Sequence, residues 1–321
     1  MAKKPAMERN LILEAVRVTE AAAIAASRLM GRGDEKAADQ AAVDAMRQAL
    51  NKMDIDGTVV IGEGERDEAP MLYIGEKVGA GTKMKIDIAL DPLEGTTLTA
   101  KGGPNAMAVL AFGEAGSFLN APDVYMDKIA VGGGLPDGLV HLDAPPAENL
   151  EATARAKGIA MSDLVVCILD RPRHAELIAT CRAAGVRVKL ITDGDVAGVI
   201  ATSDPSTGVD IYMGSGGAPE GVLAAAALRC IGGQMQGRLL FRNDDERARA
   251  VRLGIKDFNR IYTMMDMAGG DVMVAATGVT DGAMLEGVRR VPGGITTESI
   301  AMRSHTGTVR WLKARHLMGK D

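Results

Sequence analysis

Apolar residues recur at helical spacing from Met7 to Met30, at Ile12, Val16, Thr19, Ala23, Ala26 and Met30, and Gly31 follows as a stop. This predicts a long amphipathic helix. A second helix is expected from Asp34, with Val43, Met46, Leu50 and Met53 as its buried stripe. The pattern then shortens to the continuous apolar runs of buried strands: Thr58 to Ile61, Ile86 to Leu90, Asn105 to Phe112 and Tyr125 to Val131, read together as a first sheet. Pro136, Gly138, Pro145 and Pro146 interrupt it, so a domain boundary is placed near residue 145. Beyond that, helices from Ala147, His174, Val196 and Glu220 alternate with strands Leu164 to Leu169, Val186 to Thr192 and Val209 to Met213. Such alternation predicts a parallel sheet. A charged helix through Asp244 and Arg252, a strand from Val272 and hairpin-like segments to Trp311 complete the chain.

The polar residues that interrupt these runs carry the candidate chemistry. In Asp91-Pro92-Leu93-Glu94-Gly95-Thr96-Thr97 a strand is expected to stop at Pro92 and a hydroxyl-capped helix to open after Gly95. Two carboxylates on such a turn are either ordinary solvated caps or ligands for a hard cation beside a phosphate. Glu63, between Gly62 and Gly64, is a second acid at a strand end, ahead of a charged loop through Arg66, Asp67 and Glu68. Asp39 continues the inward stripe of the second helix, where the helix dipole or an interior cation would stabilise it. In the parallel sheet, ligands bind beyond the carboxyl ends of strands. Those ends carry Asp170-Arg171-Pro172-Arg173-His174, Asp193-Gly194-Asp195 and Gly214-Ser215-Gly216-Gly217-Ala218-Pro219-Glu220, the last with the character of a phosphate or sugar cradle.

Composition narrows the classes. The chain has 321 residues, 47% hydrophobic, 25% charged and 3% aromatic, with 39 glycines, which suits a glycine-turn-rich enzyme core. A net charge of -5 argues against nucleic-acid and anionic-membrane partners, so an anionic substrate needs local cations. Arg171, Arg173 and Lys128 could supply them, or could simply be solvated. Cys167, Cys181 and Cys230 lack paired spacing, which points to neither disulfides nor zinc and fits a reducing cytoplasm. Lys3 and Lys4 precede no apolar core of a signal peptide, and no run reaches the roughly 18 apolar residues of a membrane span. His305 and His316 read as surface or interface residues, and Met264, Met265 and Met267 as core.

Carboxylate clusters without His or Cys select Mg²⁺ or Mn²⁺, which serve phosphoryl transfer. Asp91-Pro-Leu-Glu-Gly-Thr96 resembles the signature of the lithium-sensitive sugar and inositol phosphatase superfamily. More closely, Ile61-Gly-Glu-Gly-Glu65, Asp67 to Lys77, Phe118-Leu-Asn-Ala-Pro-Asp123, Arg171-Pro-Arg-His174, Asp193-Gly-Asp195 and Gly216-Gly-Ala-Pro-Glu-Gly221 resemble class II fructose-1,6-bisphosphatases. The likeness runs in order from about Arg17 to Gly282. It implies an α/β fold of layered sugar-phosphatase type (α-β-α-β-α), with a metal-binding subdomain over residues 1–145, a substrate-binding one over 146–321, and the site in the cleft between them.

The resemblance further implies metal ligands at Asp39, Glu63, Asp91, Glu94 and Glu220, holding Mn²⁺ or Mg²⁺. It implies substrate contacts at Glu94, Gly95, Thr96, Tyr125, Arg171, Pro172, Arg173, Asp193, Gly194, Asp195 and Gly217, with Tyr125 and the arginines on the distal phosphate and the two aspartates on sugar hydroxyls. Catalysis would fall to Thr96, orienting the attacking water, with Glu63 and Asp91. Related enzymes carry Lys where Arg171 stands. The implied reaction removes the 1-phosphate of fructose 1,6-bisphosphate in gluconeogenesis, in a cytoplasmic homo-oligomer, dimer or tetramer. The alternatives are a sedoheptulose-1,7-bisphosphatase, an inositol-phosphate phosphatase, or a non-catalytic sugar-phosphate sensor.

Overall fold

The computed structural model describes residues 7–64, 71–81 and 84–317. The expected charged loop at Arg66, Asp67 and Glu68, and Lys3 and Lys4, lie outside these. In chain order the elements begin with α1 (Leu11–Ser27), α2 (Glu35–Leu50), β1 (Asp56–Ile61), β2 (Lys77–Val78), β3 (Lys85–Glu94), α3 (Thr96–Lys101) and β4 (Met107–Glu114). There follow β5 (Tyr125–Gly132), α4 (Pro146–Lys157), β6 (Val165–Leu169), α5 (Ala175–Ala183), β7 (Arg187–Ile191), α6 (Asp195–Ile200), β8 (Ile211–Gly217), α7 (Ala218–Ile231), β9 (Gly233–Leu240), α8 (Asp244–Arg252), β10 (Tyr262–Thr263) and α9 (Met264–Met267). The chain closes with β11 (Val272–Gly278), β12 (Arg289–Val291), β13 (Gly294–Arg303) and β14 (Thr308–Leu317).

These form two compact units, one of residues 1–118 with 270–321, the other of residues 119–269. The boundary expected near residue 145 therefore falls inside the second unit. The proline cluster that suggested it includes Pro145 and Pro146, which start α4: Pro146 occupies the first helical turn, where its missing N–H costs nothing.

In the first unit an eight-stranded sheet runs in the order β12-β13-β11-β4-β3-β1-β2, with β14 also paired to β13. β1 and β3 are parallel, and the other ladders described are antiparallel. The apolar stripes of α1 and α2, among them Val16, Ala23, Ala26, Val43, Met46 and Leu50, pack on Ile86, Ile88, Leu90, Leu110 and Phe112. Thr19 belongs to the α1 stripe because its hydroxyl has a buried partner: it donates to the Val16 carbonyl at 3.0 Å and meets Thr277 Oγ1 at 2.8 Å, which in turn meets Ser299 Oγ at 2.8 Å.

In the second unit the six-stranded sheet has the order β10-β9-β5-β8-β6-β7. The parallel sheet expected there is mixed: β6 lies parallel to β7 and β8, while β5, β9 and β10 run antiparallel. The strand at Tyr125, assigned from sequence to the first sheet, sits in the middle of this one. Strand order was out of reach because β5 is claimed by partners far along the chain, Gly217 and Leu240 opposite Tyr125. Leu150, Ala154, Ile178 and Cys181 of α4 and α5 pack with Ile129, Val131, Ile211 and Met213. Met126, from the alternate face of β5, lies against Gly221 of α7, so helices cover this sheet on both sides.

Candidate active site

In the first unit Glu63 follows the end of β1, Asp91 and Glu94 lie in the last residues of β3, and Asp39 lies on α2. The parallel register pairs Ile61, the last residue of β1, with Ala89; Glu63 follows two residues past that strand end and Asp91 two residues further along β3. β3 does not stop at Pro92; it runs on to Glu94 through a register shift between Asp91 and Glu94. A bulge re-aims side chains, and here it accommodates a proline with no N–H to donate. The Asp91 carboxylate accepts the Leu93 N–H at 3.0 Å, and Glu94 is 4% exposed. Gly95 then turns with φ 88°, where a Cβ would stand 2.9 Å from Leu98 Cδ1. The expected hydroxyl cap of α3 is absent; Gly95 is the cap and Thr96 opens the helix, partly exposed. The Gly31 and Gly33 N–H groups donate to the Thr99 and Ala100 carbonyls, each at 2.9 Å, and tie the approach to α2, which carries Asp39, onto α3. Asp34 caps α2 as the sequence suggested, accepting from Ala37 N. Burial holds the Asp39 carboxyl above the usual carboxylate range.

The second unit gathers the cations and the remaining acids. Here too a parallel register does the placing: Leu169 pairs with Ile191, and two residues on, Arg171 lies 3.6 Å from Asp193. Gly194 is left-handed with φ 83° and starts α6 at Asp195. Lys128, in the centre of β5 and 2% exposed, donates to Asp195 Oδ2 at 2.5 Å and to the Gly217 carbonyl at 2.7 Å. Lys128 is thereby committed inside the unit, and the expectation that it holds a second anionic group on a substrate is corrected.

The glycine-rich stretch is also different from its reading as a loop. Gly214 to Gly217 are the last residues of β8, with main chain in the ladder opposite Lys128 to Tyr125. What the glycines supply is room for carboxylates. A Cβ on Gly216 would stand 1.9 Å from Asp195 Oδ2, and one on Gly217 would stand 1.8 Å from Glu220 Oε2. Glu220 thus folds back over Gly217 from the first turn of α7. Its carboxyl is pushed up to about 7, by burial first and the Asp195 carboxylate second, against the pull of Lys128.

His174 was passed over by the sequence argument beyond its place in the Arg171 motif. Its Nδ1–H donates to the Leu169 carbonyl at 2.8 Å and its Nε2 accepts the Ser215 N–H at 2.8 Å, which defines the neutral ring. Burial first, then the neighbouring Arg173 and Arg171 charges, hold its pKa below the ordinary range, against the Leu169 carbonyl and Asp127. Arg173 donates to the Ser215 carbonyl at 2.7 and 3.2 Å, and its guanidinium carbon lies 4.8 Å from the centre of the Tyr125 ring. Pro172 begins the short turn of helix between these two arginines.

Among the described residues no three His, Cys, Asp or Glu side chains converge closely enough to hold a metal ion as they stand. The donor chemistry nevertheless suits a hard divalent cation: the acids present only carboxylate oxygens, and Glu220 Oε2 is buried without a hydrogen-bond partner among the described residues.

Residues 9–316 match the family model described as bacterial fructose-1,6-bisphosphatase, glpX-encoded. The chain belongs to this family. It is 48% identical over 328 residues to the fructose-1,6-bisphosphatase 1 class 2 of Escherichia coli (strain K12), covering 98% of this chain and 97% of the relative. The fructose-1,6-bisphosphatase class 2 of Shigella flexneri matches with the same identity and coverage. The α/β architecture with two sheets accords with a layered phosphatase fold. The family's phosphatases are metal-dependent, which agrees with the oxygen-only donors at the strand ends. Among the described residues no helix is long and apolar enough to cross a membrane.

Proposed function

We propose that this chain hydrolyses the 1-phosphate of fructose 1,6-bisphosphate, giving fructose 6-phosphate and phosphate, the gluconeogenic step. The observation that carries this reading is the 48% identity over 98% of the chain to a class 2 fructose-1,6-bisphosphatase. The strand register supports it, because Glu63 and Asp91 each follow two residues after the paired Ile61 and Ala89 of parallel strands, and carboxylates in such positions suit a phosphoryl-transfer metal.

Asp39, Glu63, Asp91, Glu94 and Glu220 are the carboxylates that hold Mn²⁺ or Mg²⁺. The cation, when bound, lowers the pKa of the attacking water and neutralises charge on the departing oxygen. Thr96 orients the water toward phosphorus through its hydroxyl, and Glu63 or Asp91 accepts one proton from it, an equivalent proton reaching the sugar O1 as the bond between O1 and phosphorus breaks. Glu94 and Gly95 position the reacting end of the sugar. Asp193, Gly194 and Asp195 take sugar hydroxyls, with Asp195 fixed by Lys128. Tyr125, Arg171, Pro172, Arg173 and Gly217 form the receptor for the remote phosphate, and the Ser215 carbonyl and the Tyr125 ring hold the Arg173 guanidinium in place. The enzyme acts in the cytoplasm as a homo-oligomer, a dimer or tetramer.

Purified chain incubated with fructose 1,6-bisphosphate and Mn²⁺ or Mg²⁺ is expected to release one phosphate per sugar, and none once a chelator is added. Thr96→Ala should cut kcat by about 10²- to 10³-fold, the scale of losing one positioned donor, with an unchanged melting curve. Faster release from sedoheptulose 1,7-bisphosphate or an inositol phosphate in the same panel would replace the substrate, and full activity of Thr96→Ala would sink the mechanism.

A further inference from the structure

We propose that Arg242 is a specificity-determining residue of this enzyme, binding the phosphate remote from the one hydrolysed together with Arg173 across the Tyr125 ring. The proposal rests on the sugar-bisphosphate reading above, and it adds a residue that no motif in the sequence marked.

Tyr125 opens β5, opposite Gly217 of β8 on one side and Leu240 of β9 on the other. The chain leaving β9 passes Phe241 and reaches Arg242 before α8 begins. This brings the Arg242 guanidinium carbon to 5.1 Å from the Tyr125 ring centre, while that of Arg173, from a different strand end, lies at 4.8 Å. One aromatic ring attracts a cation. Two guanidinium groups sharing it repel each other, and an anion placed against both removes that repulsion. The Arg173 hydrogen bonds go to the carbonyl and hydroxyl of Ser215, neutral acceptors that leave its charge available.

Arg242 is held as a receptor residue should be. Its Nε donates to Glu246 Oε1 at 2.6 Å and its backbone N–H to Glu246 Oε2 at 2.7 Å, so one carboxylate fixes both the main chain and one edge of the guanidinium. Glu246 is 1% exposed and is anchored by the Asn243 cap, which accepts the Glu246 N–H at 2.9 Å. The Arg242 side chain itself is 60% exposed. A planar, pre-oriented fork with an exposed edge matches a phosphate dianion better than a flexible ammonium does. Asp123 also lies within electrostatic reach of Arg242.

Arg242→Gln keeps a donor for Glu246 and removes the charge. The expected result on fructose 1,6-bisphosphate is a KM raised at least about tenfold, kcat within about twofold, and partial recovery in Arg242→Lys. By calorimetry fructose 6-phosphate, which keeps the remote phosphate, should bind Arg242→Gln about tenfold more weakly. Fructose 1-phosphate, which lacks it, should bind both proteins equally. Equal weakening of the two monophosphates, or no weakening of either, would overturn the role of Arg242. Failure of the wild-type chain to release phosphate from the bisphosphate would instead overturn the activity reading, and the two binding measurements would still decide the role of Arg242.

Discussion

The two units use the same residue type in opposite ways. In the first, carboxylates are brought to the ends of β1, β3 and the start of α2 by backbone geometry, and burial alone pushes the Asp39 carboxyl up. In the second, several acids are answered by a cation, Asp193 by Arg171, Asp195 by Lys128 and Glu246 by Arg242, whereas Glu220 is buried with its Oε2 unpartnered among the described residues. A buried carboxylate left to itself resists ionisation and welcomes a divalent ion, whereas one paired with Lys or Arg becomes a fixed support for a neutral or anionic ligand.

Removing a metal-side acid should produce the largest functional loss. Asp91→Asn is expected to lower kcat by about 10³-fold, the several kcal/mol that a metal contributes, with its melting temperature little changed. Near-normal turnover in this variant would mean that the first unit does not carry the cation.

On the paired side the loss should be in stability. Lys128→Met leaves Asp195 buried without its cation and should cost about 3–5 kcal/mol in denaturant unfolding. Replacing Asp195 as well should recover part of that; a single variant within about 1 kcal/mol of wild type would show that the pair is not structural.

Gly217→Ala probes the placement of Glu220. Gly217 has φ -62° and ψ 144°, which alanine adopts without strain, so the effect comes from the Cβ that would stand 1.8 Å from Glu220 Oε2. About 1–3 kcal/mol of destabilisation is expected, with a raised requirement for Mn²⁺ in the activity assay. An unchanged metal requirement would separate Glu220 from the metal.

A smaller effect concerns His174. Its folded pKa lies below the ordinary value of about 6.5, so the unfolded chain binds the proton more readily. The stability it supports is present above that value and is lost as pH falls through the folded pKa. Melting temperature should therefore fall less steeply between about pH 7 and pH 5 in His174→Gln than in the wild type. The carboxyls of Asp39 and Glu220, raised in the folded state, push the other way in both proteins and cancel in the difference. Parallel curves would remove His174 from the acid response. Least of all should change on adding a thiol reagent: burial pushes Cys167 up to about 12 and Cys181 up to about 11, and neither should react before unfolding.

Much of the element order was legible because period and punctuation act locally. The stripes of α1 and α2, the Asp34 cap, the βα alternation from Ala147 and the Gly194 turn all follow from neighbouring residues. Sheet membership was not legible, since Tyr125 finds Gly217 and Leu240 by long-range pairing that no local signal encodes. The same limit explains the continuation of β3 past Pro92 and the ladder role of Gly214 to Gly217.

By itself the sequence determined the class of chemistry: oxygen-only ligands, an acidic chain with a few arginines at strand ends, and ordered motifs that place it among sugar-bisphosphate phosphatases. Only the tertiary structure decided which charges are available. Lys128 is as basic as Arg242 on paper, yet one is sealed against Asp195 and the Gly217 carbonyl and the other faces outward beside Tyr125. Each is paired with a carboxylate, and burial separates them: Lys128 is 2% exposed and the Arg242 side chain 60%.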